Sequence, residues 1–312
     1  MSSPGSSTCP LRVFDVVVRR VRQLSPHVRR ITFGGPGLER FGVPGPTLDL
    51  RIKLLLPVPG HALSRPGSSD GQLQEGWYQD WLRIAQPKRG WLRSYTVRAL
   101  RAAPDGQELD VDFVIHAASH PVSHAVDDAC SAPASDWARA AEPGSTAVLV
   151  GPDALSSRTA PPAGTGIRWD PQGARQVLLA GDETAVPAVS SILEALPVGA
   201  TGRAFLEVPD DSDFQDLRSE SGVVVTWLAR NPTKAPRGQL LCDAVRRSYA
   251  AGEASEELYA WVAAEASTVK NLRIHLVQHL GMDPKRSELR AYWSLGKAGS
   301  GANGIPVKQQ VS

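Results

Sequence analysis

The sequence is poor in the features that announce most chemistries. It has only three cysteines, Cys9, Cys130 and Cys242, far apart and without paired spacing. So sparse and odd a set argues against a disulfide framework or a thiolate metal site, and fits a reducing compartment. No apolar run approaches the ~20 residues that a membrane-spanning helix needs. The opening stretch, MSSPGSSTCPLR, lacks a charged region followed by an apolar core, so it does not read as a secretory signal. A flexible lead over residues 1–11 and a cytoplasmic location are the expectation. Net charge is only +2, which offers no basic field for nucleic acid or for an anionic membrane. The only close group of histidines is His116, His120 and His124, in a segment whose proline and small polar residues suit a loop better than a metal site. There is no Ser-His-Asp or cysteine cluster, and no GxGxxG follows a strand-like run.

What is present is an ordinary globular composition, 42% hydrophobic and 21% charged, long enough for two domains. The first half holds short β-branched or alternating runs, RVFDVVVRRVRQL, VRRITFGG, TLDLRIKLLLP, LRSYTVRAL, ELDVDFVIHA and TAVLVGP, separated by Pro/Gly stretches. Such a series predicts an antiparallel β-barrel over 12–152. Residues 58–80 are too polar and glycine-rich to be core and read as a surface excursion, with a second one over 117–131. A Pro/Gly-rich connector, 153–175, follows. From 176 to 297 strands alternate with helices: QVLLAGDE, TAVPAVSSILEAL, GRAFLEVPD, GVVVTWLAR, GQLLCDAVRRSYAAG, ELYAWVAAEA and STVKNLRIHLVQHLG. That alternation predicts a doubly wound α/β domain, with ligands at the carboxyl ends of its strands, at GDET, VPDD and AEAS. LRAYWSLG adds a last strand, and 298–312 reads as a disordered tail.

In a chain with 6% aromatic residues, RSYTVR (93–98) places a tyrosine between two arginines on a strand. Arg93 and Tyr95 would share one face, Ser94 and Thr96 the other. Taken alone the hexapeptide could equally be a half-exposed strand with solvated arginines.

GDETAVPAVSSILEALP (181–197) resembles the signature of the siderophore-interacting protein family, flavin-dependent ferric-siderophore reductases related to ferredoxin–NADP reductases. The resemblance continues in order through IKLLLP, RSYTVR, DVDFVIH, APASDWARAAEPGSTAVLVGP, VPD, WVAAEASTVKNLRIHL and YWSLG, covering nearly everything from residue 12 to 297. It implies FAD in the barrel and NADPH or NADH in the α/β domain, so that hydride passes to the flavin and electrons then pass singly to Fe(III). Tyr95 would pack on the flavin ring. Thr96 would offer its backbone or hydroxyl near the ring edge, with Ser94 on the same strand, and Arg93 would pair with the diphosphate. His116 would lie beside the flavin, and the helix start at Ala134 and Ser135 would receive the diphosphate. Asp182, Glu183 and Thr184 would cap the following helix or close over the two cofactors. Asp210 and Glu265 would meet the pyridine nucleotide, and Lys270 with Arg273 would meet a 2′-phosphate or simply form a solvated helix face. Trp137 reads as core, and Arg98 as either structural or cofactor-contacting.

The resemblance also implies a ferric siderophore held by cations at Lys53 and Lys297. Two family cations are missing, with Asp136 and Ser294 in their places, although Lys297, or Arg83 and Arg89, could compensate; the expectation is then a less charged hydroxamate or mixed-ligand siderophore, or a substrate that is not a siderophore. Ala264 replaces a family glycine and could crowd the nucleotide. Alternatives are a general NAD(P)H:flavin or quinone reductase and a non-catalytic siderophore-binding flavoprotein. The donor could also be a ferredoxin, and a monomer is expected.

Overall fold

The computed structural model describes residues 9–115, 133–158, 165–249 and 257–296. Seven strands form the first sheet: β1 (Leu11–Ser25), β2 (Val28–Gly34), β3 (Arg51–Leu56), β4 (Trp91–Thr96), β5 (Ala99–Ala103), β6 (Gly106–Val114) and β7 (Thr146–Pro152). Their order is β4-β3-β7-β1-β2-β6-β5, and every neighbouring pair is antiparallel. The two edges, β4 and β5, are consecutive in the chain. Val97 N–H donates to Leu50 O and Arg98 N–H to Asp110 O, each at 2.9 Å, so the backbone itself crosses from one edge to the other and wraps the sheet. The period-2 pattern supplies the filling: Phe14, Val16 and Val18 from β1, Ile31 and Phe33 from β2, and Val111 and Phe113 from β6 are buried together.

The outer wall is treated in two ways. On β2, β5 and β6 it is a ladder of ion pairs whose carboxylates are buried, with Arg30 and Arg101 each 2.6 Å from Asp112 and Asp110 respectively. On β1, β3, β4 and β7 the outward residues Val13, Leu55, Leu92, Val148 and Val150 are apolar, and the excursion covers them with Leu73, Trp77 and Trp81. Here the composition misled. The excursion is polar on average, but Leu73 and helix α1 (Trp77–Arg83) turn their few large residues inward and build a second small core, while the short α2 (Gln86–Arg89) that follows buries none. Arg89 lies 5.1 Å over Trp81, and Arg83 pairs with Asp80, so both arginines are engaged locally.

Helix α3 (Pro133–Ala140) lies against β2, β4 and β6. As its pattern predicts, Trp137 is core: its ring stacks on Phe33 at 6.3 Å and tilts onto Phe113 at 5.8 Å.

The second sheet is parallel, with strands β8 (Gln176–Asp182), β9 (Thr201–Val208), β10 (Gly222–Ala229), β11 (Leu258–Glu265) and β12 (Ser287–Trp293) in the order β10-β9-β8-β11-β12. Helix α4 (Val186–Ala195) packs on one face, against Val177, Leu179 and Trp261. Helices α5 (Gln239–Ser248) and α6 (Ala266–Arg273) pack on the other, against Leu178, Ala180 and Val262. Sheets covered on both sides read as continuous apolar runs, as LYAWVAA does. The strand order reverses between β8 and β11, the place where such sheets bind ligands.

The halves are fastened at four places. Buried Asp49 accepts from Arg168 and Trp169 N–H and from Trp261 Nε1–H, at 2.9, 3.0 and 3.1 Å. Arg98 makes a two-pronged pair with Glu194, at 3.0 and 2.6 Å, which gives it a structural role at the junction. Asp213 accepts from Ser25 Oγ–H at 2.6 Å and lies 2.7 Å from His27 Nδ1. Tyr292 and Thr96 are hydrogen-bonded through their side chains.

Candidate functional site

β4 divides the predicted flavin residues between its two faces, as the alternation requires. Tyr95 turns toward the barrel core, its ring 4.3 Å from that of Phe113 and next in a run of rings to Trp137. Burial raises its hydroxyl pKa well above the ordinary range, so the phenol stays neutral. Arg93 is half-buried beside it and donates to Leu92 O at 3.0 Å; burial pulls its pKa down. Ala134 and Ser135, in the first turn of α3, are buried near the same cluster.

On the opposite face, Ser94 and Thr96 stand in register with Lys53 and Arg51. Lys53 donates to Ser94 Oγ at 2.7 Å, and burial together with the Arg51 charge pushes its pKa down to about 8. The Thr96 hydroxyl is engaged with Tyr292, which joins this strand to β12. His116 and Lys297 lie outside the described residues.

At the switch point the carboxyl edge of the second sheet carries four buried carboxylates: Asp182, Glu183, Glu207 and Glu265. Asp182 is tied down by four donors: Glu265 N–H and Trp293 Nε1–H at 2.9 Å, Thr184 N–H at 3.0 Å and Thr184 Oγ–H at 2.5 Å. Burial and the adjacent Glu183 charge nevertheless hold its pKa above the ordinary range. Glu183 turns to Arg230, at 3.1 Å, and to Arg237, and these cations hold its pKa low. Neither carboxylate caps α4, which removes the first of the two expected roles. The cap position is Ala185, because Glu183 is drawn to the arginines and Asp182 to the strand ends. Gly181 permits this packing, since a Cβ there would stand 2.4 Å from Ala185 Cβ and 2.9 Å from Ala263 O.

Glu207 accepts from Gly238 N–H at 2.6 Å and Leu241 N–H at 2.9 Å, capping α5, and also binds Arg230 at 3.1 Å. Glu265 caps α6 through Ser267 and Thr268 N–H and accepts from Leu295 N–H at 3.3 Å. Two helix starts that could have received a nucleotide diphosphate are thus already satisfied by carboxylates. Asp210 is a cap as well, accepting from Ser212 N–H and from Asn231 Nδ2–H at 2.8 Å, bonds that depress its pKa. Arg273 donates to Leu289 O at 2.7 Å, while Lys270 is exposed. Ala264 does not crowd the crevice, because its methyl group is buried in the core under α5 and α6.

The raised Asp182 pKa has a testable sign. An unfolded aspartate ionises near pH 3.9, earlier than the buried one, so its ionisation costs stability as pH rises above about 4. Asp182→Asn removes that cost. Between pH 7 and pH 5 the melting temperature of the unaltered protein should therefore rise relative to the variant's; parallel profiles would show that Asp182 does not titrate there.

Sequence models for two halves of one family match in the expected order: the siderophore-interacting FAD-binding domain over residues 17–156 and the siderophore-interacting protein over 174–296. An uncharacterized protein of Mycobacterium tuberculosis is 32% identical over 92% of each chain. The chain belongs to the siderophore-interacting protein family. Ferric vibriobactin reductase ViuB of Vibrio cholerae is 29% identical, over 92% of this chain and 90% of its own. The crystal structure of a siderophore utilization protein from T. fusca superposes with a TM-score of 0.69 at 27% identity, over 94% of this chain and 96% of that one. The first domain is accordingly a FAD-binding domain of this family. Its Arg93, Tyr95 and α3 start fit such a ligand in kind: a cation, an aromatic face and a helix N-terminus gathered on one side of the barrel.

Reading the sequence missed three things here. Arg237, 5.0 Å over the Trp293 ring, links the VPD side of the crevice to the YW strand. Arg230 and Glu207 stand at strand ends, where a charge in an apolar strand was the available signal. A cavity of about 210 Å³, lined by Arg237, Gln239, Arg246, Ser267 and Asn271, opens between α5 and α6.

Proposed function

We propose that this protein is a reductase that takes hydride from NADH or NADPH through FAD and delivers electrons to the iron of a ferric siderophore. The observation that carries the reading is the Thr96–Tyr292 bond. It brings the barrel strand that bears Arg93 and Tyr95 against the end of β12, where Trp293 holds Asp182 at the switch point. That sets one edge of the FAD-binding barrel beside the switch point of the α/β sheet, the junction where we read flavin and pyridine nucleotide as meeting.

A flavin bound there supplies the conversion of a two-electron donor into one-electron steps at Fe(III). The chain's own work is placement. Tyr95 and the rings behind it exclude water from one side. Arg93 and the α3 start offset phosphate charge. The Asp182–Thr184–Trp293 bonds fix the floor of the crevice. Arg246, Arg237 and Asn271, in the cavity between α5 and α6, are better placed than Lys270 and Arg273 to meet the phosphates of a pyridine nucleotide. Reduction weakens the chelate's hold on the metal, so iron leaves as Fe(II). The ViuB relationship supports this reading over a general flavin or quinone reductase.

Anaerobic mixing of the FAD-loaded protein with NADH or NADPH should bleach the flavin absorbance. A ferric siderophore should then restore it as Fe(II) appears. Failure of both nucleotides to bleach it would rule out a pyridine-nucleotide reductase, and reduction by a ferredoxin would then be the surviving route.

A further inference from the structure

The turn Asp211–Asp213 follows β9 at the carboxyl edge of the second sheet, and its last residue turns a buried carboxylate toward the barrel. Asp213 Oδ1 accepts from Ser25 Oγ–H at 2.6 Å and from His27 N–H at 3.1 Å. Its Oδ2 stands 2.7 Å from His27 Nδ1 and accepts from Asp210 N–H at 3.2 Å. Ser25 ends β1 and His27 directly precedes β2, so both belong to the tip of that hairpin. His27 O in turn accepts from Ile115 N–H, just past β6, at 2.8 Å. One carboxylate therefore ties the loop that carries Asp210 to the ends of β1, β2 and β6.

A carboxylate is buried without loss only where donors surround it, and all but one of these donors come from the other domain. Its place matters as much as its bonds. The sheet order is β10-β9-β8-β11-β12, with the switch point between β8 and β11. The Thr96–Tyr292 bond holds the sheet on its β12 side, and Asp213 holds it on its β9 side. The Asp49–Trp261 bond comes from within β11. Glu194 lies in the last turn of α4, which runs back toward the amino edge. Removing Asp213 would leave the carboxyl edge held on its β12 side and free its β9 side to swing.

We infer that Asp213 is a positioning residue: by latching the loop after β9 to the β1–β2 hairpin, it sets how the nucleotide edge of the α/β sheet faces the flavin domain. This rests on the reductase reading above and adds to it a residue outside the expected cofactor contacts. Hydride moves between atoms about 3–3.5 Å apart, and a displacement of about 1 Å can slow a reaction by roughly a hundredfold. A latch on each side of the switch point fixes that spacing. A latch on one side leaves a rotation free.

The test acts from the barrel side, with a Ser25→Ala/His27→Ala double variant that leaves the loop's own Asp210–Asp213 bond in place. In stopped-flow mixing of the FAD-loaded protein with NADH or NADPH, the limiting rate of flavin bleaching should fall about tenfold. The half-saturating nucleotide concentration and the FAD dissociation constant should not change. Hydrogen exchange of the FAD-free protein should quicken at residues 210–214, in the domain that carries no substitution. His27→Asn alone should keep most of the rate, since its amide can donate from the place of Nδ1. Unchanged exchange at 210–214 overturns the latch, and faster exchange with an unchanged bleaching rate overturns the positioning role. A rate that falls in step with FAD affinity overturns it too, because the hairpin would then act through flavin binding. If neither nucleotide bleaches the unaltered protein, the reductase reading falls, and exchange still decides whether Asp213 joins the domains.

Discussion

Glu207→Ala should lower folding stability by about 3–5 kcal/mol, the usual loss when one partner of a buried ion pair is removed. Glu207 is fully buried, and three donors depend on it: the Arg230 guanidinium and the N–H groups of Gly238 and Leu241. Alanine leaves two helix-start N–H groups without a partner and Arg230 with Glu183 alone. Water cannot readily replace the lost oxygens at a site with no exposure. Gly238 restricts repair further, because Thr268 packs so closely that a Cβ there would lie 1.9 Å from its hydroxyl. Urea unfolding measures the loss. Glu207→Gln, which keeps the shape and one acceptor, should lose less. A difference below 1 kcal/mol for the alanine variant would mean that the network contributes little.

Tyr95→Ala should weaken FAD binding about tenfold to a hundredfold, the range expected when a stacked aromatic partner is deleted. It should also blue-shift or broaden the visible flavin bands. The side chain is half-buried against Phe113, so truncation opens a space beside the Phe113–Trp137 pair and lowers stability too. Tyr95→Phe separates the contributions. The hydroxyl stays neutral because burial raises its pKa, and the ring carries the contact, so this variant should keep near-normal affinity. Titration of the apoprotein with FAD, followed by absorbance, reads both. Equal affinity in the alanine variant would remove Tyr95 from the site.

Both domains were legible in the sequence because their apolar periods are regular. GRAFLEVPD and LYAWVAAEA carry the continuous apolar runs of buried parallel strands, and the helix over 186–195 follows its 3.6-residue stripe. The covering role of residues 58–80 and the adjoining Trp81 was not legible, since Leu73, Trp77 and Trp81 are spaced among glycines and polar residues and gain meaning only against Val13 and Leu55. At the candidate site, residue identity could be read but the partner of each residue could not. Asp182, Glu183 and Glu265 precede helices, which makes capping the natural expectation, yet only Glu265 caps. The other two are claimed by Trp293, Arg230 and Arg237, which lie at least 47 residues away in the chain.

The place of β7 bears on how the barrel comes into being. It is the last strand of its sheet to be synthesised, yet it lies between β3 and β1 and holds both. Until residue 152 has left the ribosome, the earlier strands form two separate ribbons, each with a bare flank that another chain could occupy. The N-terminal half must therefore be completed by a long-range insertion, which favours slow assembly and gives a chaperone something to guard.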